Sequence, residues 1–170
     1  EIWTEMLDNE DLLHSQYDVV AGRWPQSYDE VVLLVNENNE VSEVYLYALG
    51  LQDPQELTDL FKRSMDGEEV ETTSRSWTYD DILNLRFRLV LPTDYYTYDS
   101  QSGTWRNVRD DDDALTQLVN DSPELRVVGI LRPSEQAVTT ALNGVIGYTS
   151  DLTKYIVNAV NDSDLVKAQK

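Results

Sequence analysis

In several stretches of this chain, apolar residues either alternate with polar ones or follow one another without a break. Alternation places side chains on opposite faces of a strand, and a short unbroken run is typical of a strand covered on both faces. The run at 31–35 therefore predicts a buried strand, and Tyr17, Val19 and Ala21 are expected to share one strand face. Strands are predicted at residues 17–21, 31–35, 85–91 and 125–131.

Apolar residues three and four positions apart predict helices elsewhere. The clearest example opens at Thr149 or Ser150 and has Leu152, Tyr155, Ile156, Ala159 and Val160 along one face. Helices are predicted at residues 2–13, 41–49, 78–83, 114–120, 135–145 and 150–160, and from residue 54 onward.

Local capping signals mark where two of these helices begin. Asp53 can cap a helix whose first residue is Pro54, with Glu56 three positions after the cap. Thr78 and Asp81 have the spacing of a capping box. Both signals predict helix starts that do not depend on tertiary contacts.

The order of these elements predicts an α+β fold, a mixed sheet with packed helices. Segments 95–99 and 104–108 flank a turn at 100–103 and predict a β-hairpin in which Gly103 has a positive φ. A length of 170 residues fits one domain. The sequence leaves open whether residues 52–124 form a second, smaller lobe.

The formal net charge of −19, from 32 acidic and 13 basic residues, limits the partners this surface can bind. Nucleic acids are excluded, because their binding depends on Lys and Arg releasing condensed counterions. Basic peptides, Ca²⁺ or a positively charged protein face stay open as partners, and so does a charge that only keeps the domain soluble. The absence of cysteine excludes thiolate catalysis, Cys-ligated zinc and disulfides.

The longest apolar run, at 31–35, is far shorter than the roughly 20 residues of a membrane-spanning helix. No signal-peptide pattern opens the sequence. We therefore expect any membrane attachment to lie outside this segment.

No residue pattern indicates an enzyme. His14 is the only histidine, and no G-x-S-x-G elbow accompanies it, so it is interpreted as a packing or surface residue. Adjacent carboxylates such as Asp80 and Asp81, or Glu68 and Glu69, are expected by chance among so many acids and do not single out a glycosidase pair. We expect no catalytic residues and no cofactor.

Two oxygen-rich runs could hold calcium, the aspartates at 110–113 and the Asn/Glu segment at 36–40. Neither has the glycine in sixth place that an EF-hand loop requires. The alternative interpretation is negative charge at a helix N-terminus for the first run and a solvated turn for the second.

Four aromatic residues cluster around the predicted hairpin: Tyr95, Tyr96, Tyr98 and Trp105. Tyr and Trp anchor interfaces and stack on sugars, which makes these residues a candidate partner surface. Cross-strand pairing within the hairpin would explain them without any partner.

Two segments, 17–51 and 125–156, carry a family resemblance. Their most distinctive phrases are AGRWP followed by YDEVVLLV, then VVGILRP and IGYTSDLTKYI. In these phrases the chain resembles the extracytoplasmic domain of ABC-transporter permeases of the MacB/FtsX type, as carried by Gram-positive bacteria. The phrases are packing and turn motifs, so they indicate a fold more directly than a reaction.

The resemblance implies a MacB-like core with a porter-like lobe, on the extracellular side of the cell membrane. Such a domain is not catalytic. It would couple ATP hydrolysis by a separate cytoplasmic ATPase subunit or domain to movement or export at the outer membrane face, with peptides, lipoproteins or antibiotics as cargo. The helix at 150–160 would continue toward the transmembrane helices of the same permease. The alternatives are a secreted sugar- or peptide-binding module and, third, a carboxylate-dependent hydrolase.

Overall fold

The computed structural model describes residues 2–41, 54–67 and 78–170. Its strands are β1 Trp3–Glu5, β2 Tyr17–Gly22, β3 Glu30–Leu34, β4 Arg86–Arg88, β5 Tyr96–Asp99, β6 Thr104–Asn107, β7 Glu124–Pro133 and β8 Ile146–Tyr148. Its helices are α1 Glu10–Gln16, α2 Pro54–Met65, α3 Tyr79–Leu83, α4 Asp112–Asp121, α5 Ser150–Asn161 and α6 Asp164–Gln169, with a 3-10 helix at Pro92–Tyr95.

Six of the strands form one mixed sheet. Its order is β1-β8-β3-β7-β2, and β4 also pairs with β7. The β1/β8 and β3/β7 pairs are parallel, and the β2/β7, β3/β8 and β4/β7 pairs are antiparallel. Strands β5 and β6 form a separate two-stranded sheet. The predicted α+β class with a mixed sheet is confirmed.

Strand β3 lies at the centre of the core, and all of its residues are buried. Val31 and Leu33 pack with Ile130 and Ile146 in one hydrophobic cluster, while Val32 and Leu34 contribute to a second. Since neighbouring side chains of a strand point to opposite faces, both faces of β3 are covered. The prediction of a doubly buried strand is confirmed.

Strand β2 corrects one predicted face. A register shift between Val19 and Ala21 interrupts its pairing with β7. Val20 and Ala21 pack against the core beyond this shift, whereas Val19, before it, is 38% exposed. Strict alternation failed here because a bulge adds one residue to the strand and reverses the faces beyond it.

The predicted helix at residues 2–13 is wrong in its first half. Trp3–Glu5 instead forms β1, which extends the sheet along β8, and Met6 N donates to the carbonyl oxygen of Tyr148 at 2.8 Å. The helix α1 starts only after Asn9, whose side chain accepts a hydrogen bond from the backbone of Leu12.

The predicted helix at residues 135–145 is also wrong, because this stretch is irregular. Its backbone is held by distant side chains: Ala141 N donates to Gln16 Oε1 at 3.0 Å, and Leu142 N donates to the Tyr17 hydroxyl at 3.3 Å. Bonds of this kind replace the i→i−4 ladder that a helix would need.

Predictions based on local signals are confirmed. Thr78 and Asp81 form the capping box of α3, Gly103 has a φ of 68° in the β5–β6 turn, and α5 begins directly after Thr149. The strand predicted at 85–91 is limited to β4. Helix α2 begins at Pro54. The predicted cap residue Asp53 and nearly all of the helix predicted at 41–49 lie outside the described residues.

The helix predicted at 150–160 is observed as α5, which is one residue longer. Asp162 caps the C-terminus of α5, and Ser163 accepts a hydrogen bond from Val166 N at the start of α6. None of the helices in the described parts of the chain combines the length and apolar character needed to cross a bilayer.

Candidate functional site

A groove of about 550 Å³ lies where the hairpin meets the C-terminal helices. Its volume is within the range of known ligand clefts, roughly 300–1,000 Å³. Three of the four aromatic residues predicted as a partner surface, Tyr96, Tyr98 and Trp105, line it. Helices α5 and α6 add Tyr155 and Leu165. We call this feature the aromatic groove.

Tyr98 and Trp105 are direct cross-strand partners in the hairpin. Their ring centroids are 5.5 Å apart with an interplanar angle of 60°, an edge-to-face arrangement that aromatic pairs favour. Tyr98 nevertheless stays 58% exposed. The pair therefore stabilises the hairpin and also presents aromatic surface to the groove.

Tyr95 does not line the groove. Its ring lies 4.2 Å from the guanidinium carbon of Arg109, which is also 5.6 Å from the ring centroid of Tyr96. A cation this close to an aromatic face is a stabilising cation–π contact. Tyr95 thus holds the segment after β6 against the start of the hairpin.

Tyr155 links the aromatic groove to the turn that precedes β3. Its ring stacks on Tyr28 with centroids 4.4 Å apart and an interplanar angle of 14°. One helical turn earlier, Leu152 is 3% exposed. Helix α5 therefore packs against the rest of the protein through Leu152 and Tyr155, and it lines the groove with Tyr155 and Ala159.

The polar groups of the groove are few. Thr93 Oγ1 is buried and has no hydrogen-bond partner among the described residues. Asp94 uses one carboxylate oxygen to accept a hydrogen bond from Leu91 N at 2.9 Å. Asp164, in the first turn of α6, is exposed. Among the described lining residues there are two aspartates and no lysine or arginine.

Two carboxylates near the hairpin have structural roles. Hydrogen bonds from Gln101 N and Ser102 lower the pKa of Asp99. The same hydrogen bonds stabilise the turn between β5 and β6. The backbone N–H of Ala114, followed by the guanidinium of Arg106, lowers the pKa of Asp111. Each ionised carboxylate is stabilised by these donors.

The aspartate run at 110–113 therefore caps α4, with Asp111 as its N-cap. In the segment 36–40, Asn36 Oδ1 accepts from the backbone of Asn38 and Glu40, which makes a tight turn. Within the described ranges, no three His, Asp or Glu residues lie close enough together to hold a metal ion.

The other candidates from the sequence also have local explanations. His14 packs against Trp24 with ring centroids 4.3 Å apart. Asp81 caps α3, and Glu68 and Glu69 lie outside the described residues.

A second, shallower depression is lined by three arginines, Arg23, Arg86 and Arg126. Two of them pair with the buried carboxylate of Glu30. Arg86 lies 3.6 Å from Glu124 and donates to the carbonyl oxygens of Leu83 and Leu85. These arginines are engaged in holding the sheet edge together.

The sequence predicted the hairpin side of the groove but not the side formed by α5 and α6. The sequence pattern predicts α5 as a helix with an apolar packing stripe. Nothing in the spacing brings positions 155–165 near positions 96–105. A scan of protein-family models matched none to this sequence, and searches of curated proteins and of solved structures found no match either.

Proposed function

We propose that this chain is a non-catalytic extracellular domain of an ABC-transporter permease, with a MacB-like core. It couples ATP hydrolysis by a cytoplasmic subunit or domain to movement or export at the outer membrane face. The proposal begins from the family resemblance of the segments 17–51 and 125–156. One structural observation supports the proposal. Helix α5 directly follows β8, the last strand in chain order, and is hydrogen-bonded to β1, the first strand.

Strands β1 and β8 are parallel neighbours, and α5 follows β8 after a single residue, Thr149. Thr153 Oγ1 donates to Glu5 Oε1 at 2.7 Å, and Ser150 Oγ donates to Asp8 Oδ1 at 2.5 Å. The segment at Glu5 and Asp8, where the chain enters the sheet, and helix α5, where it leaves the sheet, are therefore joined by hydrogen bonds. A domain inserted between two membrane helices needs this proximity of entry and exit.

Docking of this kind is what a mechanical coupling element requires. Leu152 is buried, Tyr155 stacks on Tyr28 in the turn before β3, and Thr153 is hydrogen-bonded to Glu5 of β1. A displacement of α5 would therefore be transmitted to β1 and to the start of β3. Interiors are close-packed and transmit such displacements.

The test determines where the protein is located in its native host and which proteins it binds there. An epitope-tagged, full-length gene product should fractionate with membranes, be cleaved by protease added outside intact cells, and co-purify in detergent with a Walker-A ATPase. Recovery of the chain from the medium or the cell wall, without an ATPase, would overturn the proposal.

The second candidate is a secreted sugar- or peptide-binding module. The aromatic groove favours it, because concave sites lined by aromatic side chains with a few polar groups are typical of ligand sites. The same fractionation experiment separates the two candidates.

A further inference from the structure

We propose that the aromatic groove binds an extended peptide segment that carries lysine or arginine side chains. This inference concerns the groove itself and does not rest on the permease assignment. Three properties of the groove support it: its aliphatic lining, its charge and its aromatic surface.

The apolar part of the lining indicates a ligand with apolar side chains. Much of this lining is aliphatic, including Leu89, Leu91 and Leu118. A peptide can present apolar and cationic side chains together, so it matches this lining and the two aspartates beside it.

The charge of the groove favours a cation. Asp94 and Asp164 contribute carboxylates, and the described lining contains no basic side chain to neutralise them. The whole chain carries a net charge of −19, which attracts cationic ligands and repels anionic ones. A neutral sugar would gain nothing from this field.

The aromatic surface provides a second means of binding a cation. Tyr98 is 58% exposed, and Trp105 lies directly across from it. Lysine and arginine bind to such rings through cation–π contacts while their apolar stems pack on the same surface. Arg109 already makes this kind of contact with Tyr95 elsewhere in the hairpin.

The test measures binding of three probes to the 170-residue chain by titration calorimetry and by NMR of the indole N–H signals. The probes are an acetylated, amidated peptide alternating lysine and leucine, the same peptide with glutamate in place of lysine, and a neutral four-unit chito-oligosaccharide. We expect the lysine peptide to bind and to shift the Trp105 signal. Binding should weaken with added salt, because salt screens exposed charges. The other two probes should bind at least about tenfold more weakly.

Matched variants distinguish the groove from diffuse attraction to an acidic protein. Tyr98→Ala should weaken binding of the lysine peptide about tenfold, and Asp164→Asn about threefold. The control for the first is Tyr79→Ala, an exposed tyrosine outside the groove. The control for the second is Asp113→Asn, also an exposed carboxylate in the first turn of a helix. Both controls should leave the affinity within about twofold.

Equal weakening by the controls would show diffuse electrostatic binding and overturn the inference. So would preference for the oligosaccharide, or no binding of the lysine peptide at all. Because Asp164→Asn removes no packing side chain, it keeps the test valid even where Tyr98→Ala loosens the hairpin. Failure of the membrane fractionation experiment leaves this inference standing, since the binding assay uses the chain alone.

Discussion

Arg126 Nη2 donates a hydrogen bond to Glu30 Oε2 at 3.1 Å, although the two residues are 96 positions apart in the sequence. Glu30 is 2% exposed and also accepts hydrogen bonds from the Arg23 guanidinium and from Gln26 N. Its carboxylate therefore ties β3 to β7 and to the turn after β2. A buried acid is tolerated here because all its partners are hydrogen-bond donors.

Replacement of Glu30 by Gln should lower the free energy of unfolding by about 1–3 kcal/mol, because the charge-assisted hydrogen bonds are lost. Urea unfolding measures this change. The control is Glu124→Gln, whose carboxylate is 3.6 Å from Arg86 with both side chains about 40% exposed. That substitution should cost less than about 1 kcal/mol. Equal costs for the two variants would contradict a stabilising role for the buried carboxylate.

The contribution of Glu30 should also depend on pH. The hydrogen bond from Arg23, then that from Gln26 N and the charges of Arg23 and Arg126, hold the pKa of Glu30 below its ordinary value of 4.5. A lowered pKa means that the stabilisation is complete above the unfolded pKa and is lost as the pH falls through the folded one.

The measurement is the difference in unfolding free energy between the wild type and Glu30→Gln at several pH values. The difference should be constant above about pH 5 and shrink at lower pH. Taking the difference cancels the global change in repulsion that occurs as the other carboxylates are protonated. A difference that grows on acidification would contradict the assigned sign.

Gly129 is required by a close approach of two backbones. A Cβ at this position would collide with the carbonyl group of Arg23. Gly129→Ala should therefore destabilise the chain by about 2–4 kcal/mol in urea unfolding. Gly67→Ala is the control: its φ is +78° but nothing lies within 4 Å, so only the backbone term of about 1 kcal/mol applies. If Gly129→Ala lowers the free energy of unfolding no more than Gly67→Ala does, the backbones of Arg23 and Gly129 can move apart at little cost.

Local signals in the sequence predicted part of the fold. The apolar run at 31–35, the capping box of Thr78 and Asp81, and the turn glycine Gly103 each specify a structure within a few residues. Each prediction is confirmed because its stabilising interactions are short-range or depend only on burial.

The remaining features depend on partners far away in the chain. Strand β1 exists because β8 lies beside it, and the stretch at 135–145 is irregular because Gln16 and Tyr17 bind its backbone. The aromatic groove likewise needs Tyr155 brought beside the hairpin. A pattern read along the chain contains none of these contacts, so it could predict three of the aromatic lining residues but not the groove.

The docking of α5 predicts a clear contrast between two of its residues. Leu152 is 3% exposed, so Leu152→Ala should lower the free energy of unfolding by about 2–5 kcal/mol through lost burial and a cavity. Val157 is 51% exposed, and Val157→Ala should change it by less than about 0.5 kcal/mol. Urea unfolding of both variants is the measurement. A small change in the free energy of unfolding for Leu152→Ala would show that α5 is not firmly packed against the rest of the protein. It would also remove the structural support for mechanical coupling.

The pair of Tyr98 and Trp105 allows its structural role to be measured apart from any ligand. A double-mutant cycle with Tyr98→Ala and Trp105→Ala should give a coupling free energy of about 0.5–1.5 kcal/mol in urea unfolding, because the rings meet edge to face across the hairpin. A control cycle combines Trp105→Ala with Val138→Ala, because Val138 is 96% exposed. The effects of these two substitutions on the free energy of unfolding should add within about 0.5 kcal/mol. Coupling near zero for the aromatic pair would mean that the two rings do not stabilise the hairpin.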